Sequence, residues 1–167
     1  MRVKLNVRKN ISQRRHMTSQ ELREFVIDFF NNKMPFNQLL GFTVSHLHSE
    51  HVEIKLVWDD KLMGNPVHKI LHGGVTAAVL DTVGSLAALI YGINGLTDED
   101  AVKAFYQQLP NGGTLDMRVD YLRPGKGEEF VATAKVIRRG NKIAVCRMDL
   151  HNQNQLHIAT GTGTYIV

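Results

Sequence analysis

The run of residues 75–93 sets the architecture: it is nearly all Val, Ala, Leu, Ile and Gly, and Asp81 is its one charge. A helix over this run has apolar side chains on every side, so other elements must enclose most of its circumference. Its length also suits a membrane span. Asp81 in mid-segment, with Thr76, Thr82, Gly84 and Ser85 nearby, and the lack of a second such run predict instead the buried helix of a water-soluble domain. Ala77, Ala78, Gly84, Ser85, Ala87 and Ala88 are small, which lets a sheet approach closely.

Upstream, Leu22, Phe25, Val26, Phe29 and Phe30 recur at helical spacing, predicting an amphipathic helix over residues 21–31. Thr18 or Ser19 caps its start, and a loop around Pro35 ends it. Residues 42–48 and 52–58 predict the strands of an antiparallel hairpin, followed by a polar stretch over residues 59–71. Residues 98–108 predict a short surface helix before Pro110 and the Asn111-Gly112-Gly113 turn. Four strands follow, over residues 114–122, 129–138, 142–152 and 155–167, with turns at Pro124-Gly125 and Gly140-Asn141. In the first of them Leu115, Met117, Val119 and Tyr121 face one way, and Asp116, Arg118 and Asp120 the other. The order predicts an α+β domain in which one antiparallel sheet curls around one long helix.

Length and composition add a boundary. A chain of 167 residues with 43% hydrophobic content suits one domain with a substantial core. The net charge of +4 belongs to the first twenty residues, where Arg2, Lys4, Arg8, Lys9, Arg14 and Arg15 meet no acid. The remainder holds 14 basic and 16 acidic residues, or −2. Residues 1–18 therefore read as a flexible, solvated basic tail rather than a transit peptide or nucleic-acid arm, and residues 19–167 as the domain. The lone Cys146 sits in an apolar strand with no partner for an internal disulfide, which suits a cytoplasmic setting and a core role.

Candidate chemistry collects at the start of the buried helix. Gly73 and Gly74 follow His72 there, and glycine lets a ligand come close to backbone N–H groups that lack intrahelical partners and lie at the positive end of the helix dipole. Such a start can hold an oxyanion. Asp81 is a carboxylate that is costly to bury without a purpose. It follows Gly74 by seven residues, so the two share a helix face about 10 Å apart at a rise of 1.5 Å per residue. One subunit cannot easily bring both to a single carbonyl, whereas a two-fold dimer with neighbouring antiparallel helices can.

The segments Asn65-Pro66, His72-Gly73-Gly74-Val75-Thr76-Ala77-Ala78-Val79-Leu80-Asp81, Asp120-Tyr121-Leu122-Arg123-Pro124 and Arg138-Arg139-Gly140 together resemble the hotdog-fold thioesterases of the phenylacetate-degradation (PaaI) type. The resemblance runs from about residue 20 to the end. It implies a homodimer or homotetramer that hydrolyses acyl-CoA at subunit interfaces, with CoA as part of the substrate and no further cofactor or metal. Carried over by position, Asp81 is the general base or nucleophile, and the Gly73 amide polarises the thioester carbonyl. His72 orients the loop or leaving group, Thr114 helps place the water, and Asn65 lies near the thioester. Gly74, Arg123, Arg138 and Arg139 fall to substrate and CoA binding, the arginines as partners for phosphate. Asn65 stands one residue further from His72 than the family spacing, and residues 96–110 form an extra segment that can shape the acyl pocket, together with Leu86 and Leu89. Medium or long alkyl chains and aryl groups all suit such a pocket. A non-catalytic acyl-CoA sensor on the same fold is the alternative, and a hydratase is disfavoured because its histidine motif is missing.

Other signals are weaker. His46, His48 and His51 invite a metal, but their place at a hairpin end with only Glu50 and Glu53 nearby reads as an exposed polar turn. Neither a Walker loop, a Ser-centred nucleophile elbow, nor the aromatic-basic pattern of a nucleic-acid surface is present.

Overall fold

The computed structural model describes residues 17–47 and 51–167. The predicted basic tail falls chiefly on residues 1–16, outside the described residues, as does His48.

Helix α1, Ser19–Asp28, begins with a reciprocal cap: Thr18 Oγ1 accepts from the Glu21 N–H, and the Thr18 N–H donates to Glu21 Oε2 at 2.8 Å. The cap fixes the helix so that Leu22 and Val26 are buried. The helix does not give way to a loop as the sequence suggests. It widens into a π-turn, Phe29–Lys33, and restarts as α2, Pro35–Leu40. Pro35 fits there because the first helical position has no N–H to satisfy and needs the φ that proline already has. Gly41 closes α2 at φ 78°, a left-handed conformation suited to glycine.

Strands β1 (Phe42–Leu47) and β2 (Val52–Val57) pair as the predicted antiparallel hairpin. The polar stretch that follows holds a 3-10 turn, Asp60–Leu62, and a small ribbon of β3 (Met63–Asn65) and β4 (Ile70–Leu71). Helix α3 covers Gly73–Asn94 and α4 covers Glu99–Gln108, the latter capped by Asp98 Oδ1 on the Ala101 N–H at 2.8 Å. The last four strands are β5 (Gly113–Tyr121), β6 (Glu129–Arg139), β7 (Ile143–Asn152) and β8 (His157–Ile166).

Six strands form one antiparallel sheet in the order β1-β2-β6-β7-β8-β5. It curls around α3, which touches β2, β5, β6, β7 and β8. The helix is long and apolar enough to cross a membrane by length and composition alone, yet most of it is buried against the sheet. Val79, Leu80, Val83, Leu86 and Ile93 of α3 are fully enclosed with Phe130, Met148 and Leu150 of the sheet. Small residues decide how close the layers come. The Tyr165 ring lies where a side chain at Gly84 of α3 or Gly163 of β8 would have to go, so both glycines make room for one phenol.

The alternation predicted for β5 holds only in part. A bulge between Thr114 and Asp116 breaks the register, and β5 is an edge strand, so Leu115 and Tyr121 are exposed while Met117 and Val119 are half-buried. Met117 and Val119 pack against the core, while Leu115 and Tyr121 at the two ends of the strand stay largely uncovered.

Overpacking against Tyr165 gives a stability test. Gly84→Ala should cost about 1–3 kcal/mol in urea unfolding. Tyr165→Phe in the same chain should recover part of that loss, a coupling that two independent sites would not show.

Candidate active site

The site grows from the two ends of β5. At its start, the bulge turns Thr114 toward α3, and Thr114 Oγ1 donates to Asp81 Oδ1 at 2.8 Å. At its end, Tyr121 donates from its hydroxyl to the Gly73 carbonyl at 2.9 Å. One edge strand thus ties down both the carboxylate and the helix start.

Asp81 is half-buried, on the one stripe of α3 that the sheet leaves accessible: Ala77, Ala78, Asp81, Ser85 and Leu89 are all half-buried, while the residues between them are enclosed. The spacing of four from Asp81 to Ser85 to Leu89 lines them up along the helix. Tyr165 stands beside this stripe, its hydroxyl 3.9 Å from Met148 Sδ. Burial, and then the negative charge of nearby Asp81, push the Tyr165 phenol well above its ordinary pKa. The phenol therefore stays protonated next to the carboxylate.

At the helix start His72 is the N-cap. Its Nδ1 accepts from the Gly74 N–H at 2.9 Å, which assigns the neutral ring's proton to Nε2, facing away from the cap. This bond divides the two glycines. The Gly74 N–H is occupied, whereas the Gly73 N–H has no acceptor among the described residues and lies exposed. Glycine is also needed at Gly64, where a side chain would strike the His72 backbone. The β3-β4 ribbon in this way presses on the loop that carries His72, whose own N–H donates to the Leu62 carbonyl at 2.9 Å.

Asn65 lies at the end of β3, and its Oδ1 accepts from the Val67 and His68 N–H groups at 3.0 and 3.2 Å. Its side-chain carbonyl therefore shapes the turn before His72 and makes no contact with Asp81. Asp81 and Gly73 are not brought together either: eight residues of one straight helix separate them by about 12 Å.

The three arginines part company. Arg123 is exposed and donates from Nη1 to the His157 carbonyl at 2.9 Å. Arg138 is exposed near the end of β6. Arg139 is half-buried, packed against Gly92 with its guanidinium 5.8 Å from the Phe105 ring centre. That location, at the far end of α3 from Gly73 by about 28 Å, makes it a brace between α3 and α4.

Tyr121 and Tyr165 are the contributors that sequence spacing missed. The glycine at 163, inside a strand, was the available sign that a bulky group from elsewhere approaches the backbone. Cys146 is buried, and burial pushes its thiol up to about 12. Among the described residues no three His, Cys, Asp or Glu side chains converge as a metal site, and His51 sits 3.3 Å from Glu53.

A carboxylate on the accessible stripe of a sheet-wrapped helix and an unoccupied N–H at the start of that helix are groups that acyl transfer can use. The family model of the thioesterase superfamily matches residues 68–159. The chain is 40% identical over 153 residues to the medium/long-chain acyl-CoA thioesterase YigI of Escherichia coli (strain K12), covering 90% of this chain and 97% of that protein. Among solved structures, a Shewanella oneidensis protein related to the thioesterase superfamily shares 44% identity at a TM-score of 0.83, over 89% of this chain and 97% of that one. The E. coli PaaI protein, at 18% identity, shares the fold with a TM-score of 0.67 over 90% of this chain and 95% of its own. The chain belongs to the thioesterase superfamily. The α+β hotdog architecture expected from the sequence is the one observed.

A thiol reagent checks the burial of Cys146. In the folded protein at pH 8 it should react at least a hundredfold more slowly than after denaturation, because little thiolate forms well below a pKa of about 12.

Proposed function

We propose that this protein is an acyl-CoA thioesterase that hydrolyses medium- to long-chain or aryl acyl-CoA to the free acid and CoA in the cytoplasm, as a homodimer or homotetramer. The observation that carries the mechanism is the pairing of Asp81 with Thr114 on an accessible stripe, in a fold whose Gly73 N–H is unoccupied.

In this mechanism Asp81 takes a proton from water as the water oxygen attacks the thioester carbonyl. The hydrogen bond from Thr114 holds one carboxylate oxygen, which sets the direction of the other lone pairs toward that water. Negative charge builds on the carbonyl oxygen, and the Gly73 N–H at the positive end of α3 stabilises it. Collapse of the tetrahedral intermediate breaks the C–S bond, and the departing thiolate takes the proton held by Asp81. Because His72 Nδ1 is already engaged, its Nε2–H is the group that can face the leaving sulfur.

The 12 Å between Asp81 and Gly73 supports a shared site, in which each carboxylate works with the helix start of a second subunit. The uncovered edge of β5, with Leu115 at 53% and Tyr121 at 56% exposure, is the surface suited to that pairing. Arg123 and Arg138, both exposed, are the arginines available for CoA phosphates.

Asp81→Asn keeps the side-chain shape and should lower thiol release from acyl-CoA by about 10²–10⁴-fold. Gly73→Pro is a second probe. His72 is extended at ψ 136°, as a residue before proline must be, and proline at the first helical position keeps the helix while removing the N–H. Its turnover should fall by about 10²–10³-fold with little change in melting temperature. Normal turnover in Asp81→Asn contradicts the mechanism. Acyl-CoA binding without thiol release in the wild type favours the sensor alternative.

A further inference from the structure

Tyr165 is a buried titratable group that the mechanism above leaves unused. It is 1% exposed, and its ring runs back over Gly163 of β8 to end at Gly84 of α3. A side chain at either glycine would strike the hydroxyl and the ring carbon that bears it, so the two glycines form a slot for the hydroxyl end of this phenol. Among the described residues the hydroxyl's hydrogen-bond partner is the Met148 thioether at 3.9 Å, a weak acceptor. A phenylalanine would fill the same slot with no polar group to satisfy, whereas a buried donor with a poor acceptor is destabilising. The hydroxyl therefore calls for a second acceptor.

The slot puts that hydroxyl beside Asp81. It fills the place where a Gly84 side chain would begin, and Gly84 follows Asp81 by three residues in α3. Positions three apart on a helix are neighbours, about 5–6 Å between Cβ atoms, and each Cα–Cβ bond leans toward the helix start, here toward Asp81. The Asp81 carboxylate spans much of that gap. Thr114, which donates to Asp81 Oδ1 at 2.8 Å, is the partner of Tyr165 across the β5-β8 ladder, so two hydroxyls approach one carboxylate from adjacent strands. Burial, and then the Asp81 charge, keep the phenol protonated, so toward a carboxylate it can only donate. Cys146 of β7, opposite Gly163, is the other titratable side chain that bears on the phenol, and its buried thiol is neutral. Tyr165 and Thr114 also wall a cavity of about 570 Å³ that opens between α1, the π-turn, α3, α4 and the start of β5, with Ser85 and Leu89 beside them. Leu86, expected from the sequence to border the pocket, is fully buried against the sheet instead.

We propose that Tyr165 is a positioning residue for Asp81: with its ring locked between Gly84 and Gly163, its hydroxyl turns from Met148 to donate to the ionised carboxylate, the second donor beside Thr114. This rests on the thioesterase reading above. A carboxylate has about four lone-pair sites, enough for both hydroxyls and a water. Two donors on fixed strands leave it one orientation, in which the remaining lone pairs face the attacking water. A donor to the charged form also favours that form, so the acid limb of the rate profile lies at lower pH than it would without the hydroxyl.

Tyr165→Phe keeps the ring and the cavity wall and removes the hydroxyl alone. With one acyl-CoA, kcat should fall about 5–50-fold while KM stays within about twofold, and the acid limb of the kcat profile should move to higher pH by about half a unit or more. Melting at pH 7 reads the same bond without turnover. Tyr165→Phe should lower the melting temperature by about 3 °C or more when Asp81 is present, and should leave it unchanged or raise it in an Asp81→Ala background. Met148→Leu exchanges the thioether for a side chain of similar volume and should keep kcat within about twofold, which decides the matter should Tyr165→Phe fail to melt cooperatively. A folded Tyr165→Phe protein with unchanged kcat and acid limb overturns the proposal, as does a loss confined to KM, which would put the hydroxyl on substrate. Equal losses of melting temperature with and without Asp81 overturn it too, as does a Met148→Leu protein impaired about tenfold or more, since the hydroxyl then serves the sulfur. A wild type that releases no thiol from any acyl-CoA overturns hydrolysis, and the paired melting temperatures then decide the role of the hydroxyl by themselves.

Discussion

A 22-residue helix enclosed by a six-stranded sheet can meet solvent along only one narrow stripe, and Asp81 sits on it. That constraint orders the rest of the molecule. A carboxylate on any enclosed face of α3 would lose its hydration with nothing to replace it. On the stripe it keeps access to water and gains the Thr114 hydroxyl. The same enclosure makes the helix rigid, so groups at its start and on its flank hold fixed positions relative to each other, which a preorganised site requires.

The edge strand β5 converts this rigidity into a site. Its bulge frees Thr114 from strict alternation to reach Asp81, and its far end places Tyr121 on the Gly73 carbonyl. His72 completes the helix start by taking the Gly74 N–H, which leaves the Gly73 backbone N–H exposed and without an acceptor among the described residues. Tyr165 contributes from the sheet side, a neutral phenol next to a carboxylate, accommodated by Gly84 and Gly163. Beyond Asp81 the stripe continues through Ser85 to Leu89, which line an apolar cavity.

Local signals were legible in the sequence, and long-range ones were not. A cap at Thr18 or Ser19, the apolar run of α3 with its lone Asp81, and the succession of two strands, long helix and four strands depend on near neighbours, and the structure has each, with the small β3-β4 ribbon added in the stretch read as a polar connection. Helix α2 was missed because Pro35 signals both the end of one helix and the start of another, and only the packing after the π-turn decides between them. Arg139 reads as a turn-flanking cation until Phe105, thirty-four residues away in sequence, is seen beneath it. Asn65 matches a family position by its neighbours, yet its carbonyl is used by the Val67 and His68 amides of its own turn. Tyr121 and Tyr165 reach their partners across β5 and β8, contacts that no spacing along the chain encodes.

The central claim is that Asp81 of one subunit works with Gly73 of another. Mixing Asp81→Asn protein with Gly73→Pro protein under conditions of subunit exchange tests it directly. If the site is shared, each hybrid dimer carries one intact pair, and about a quarter of the wild-type thiol release returns from two nearly inactive parents. If both groups act within one chain, every site in the mixture keeps a defect and activity stays at the parental level despite proven exchange, which would contradict the account.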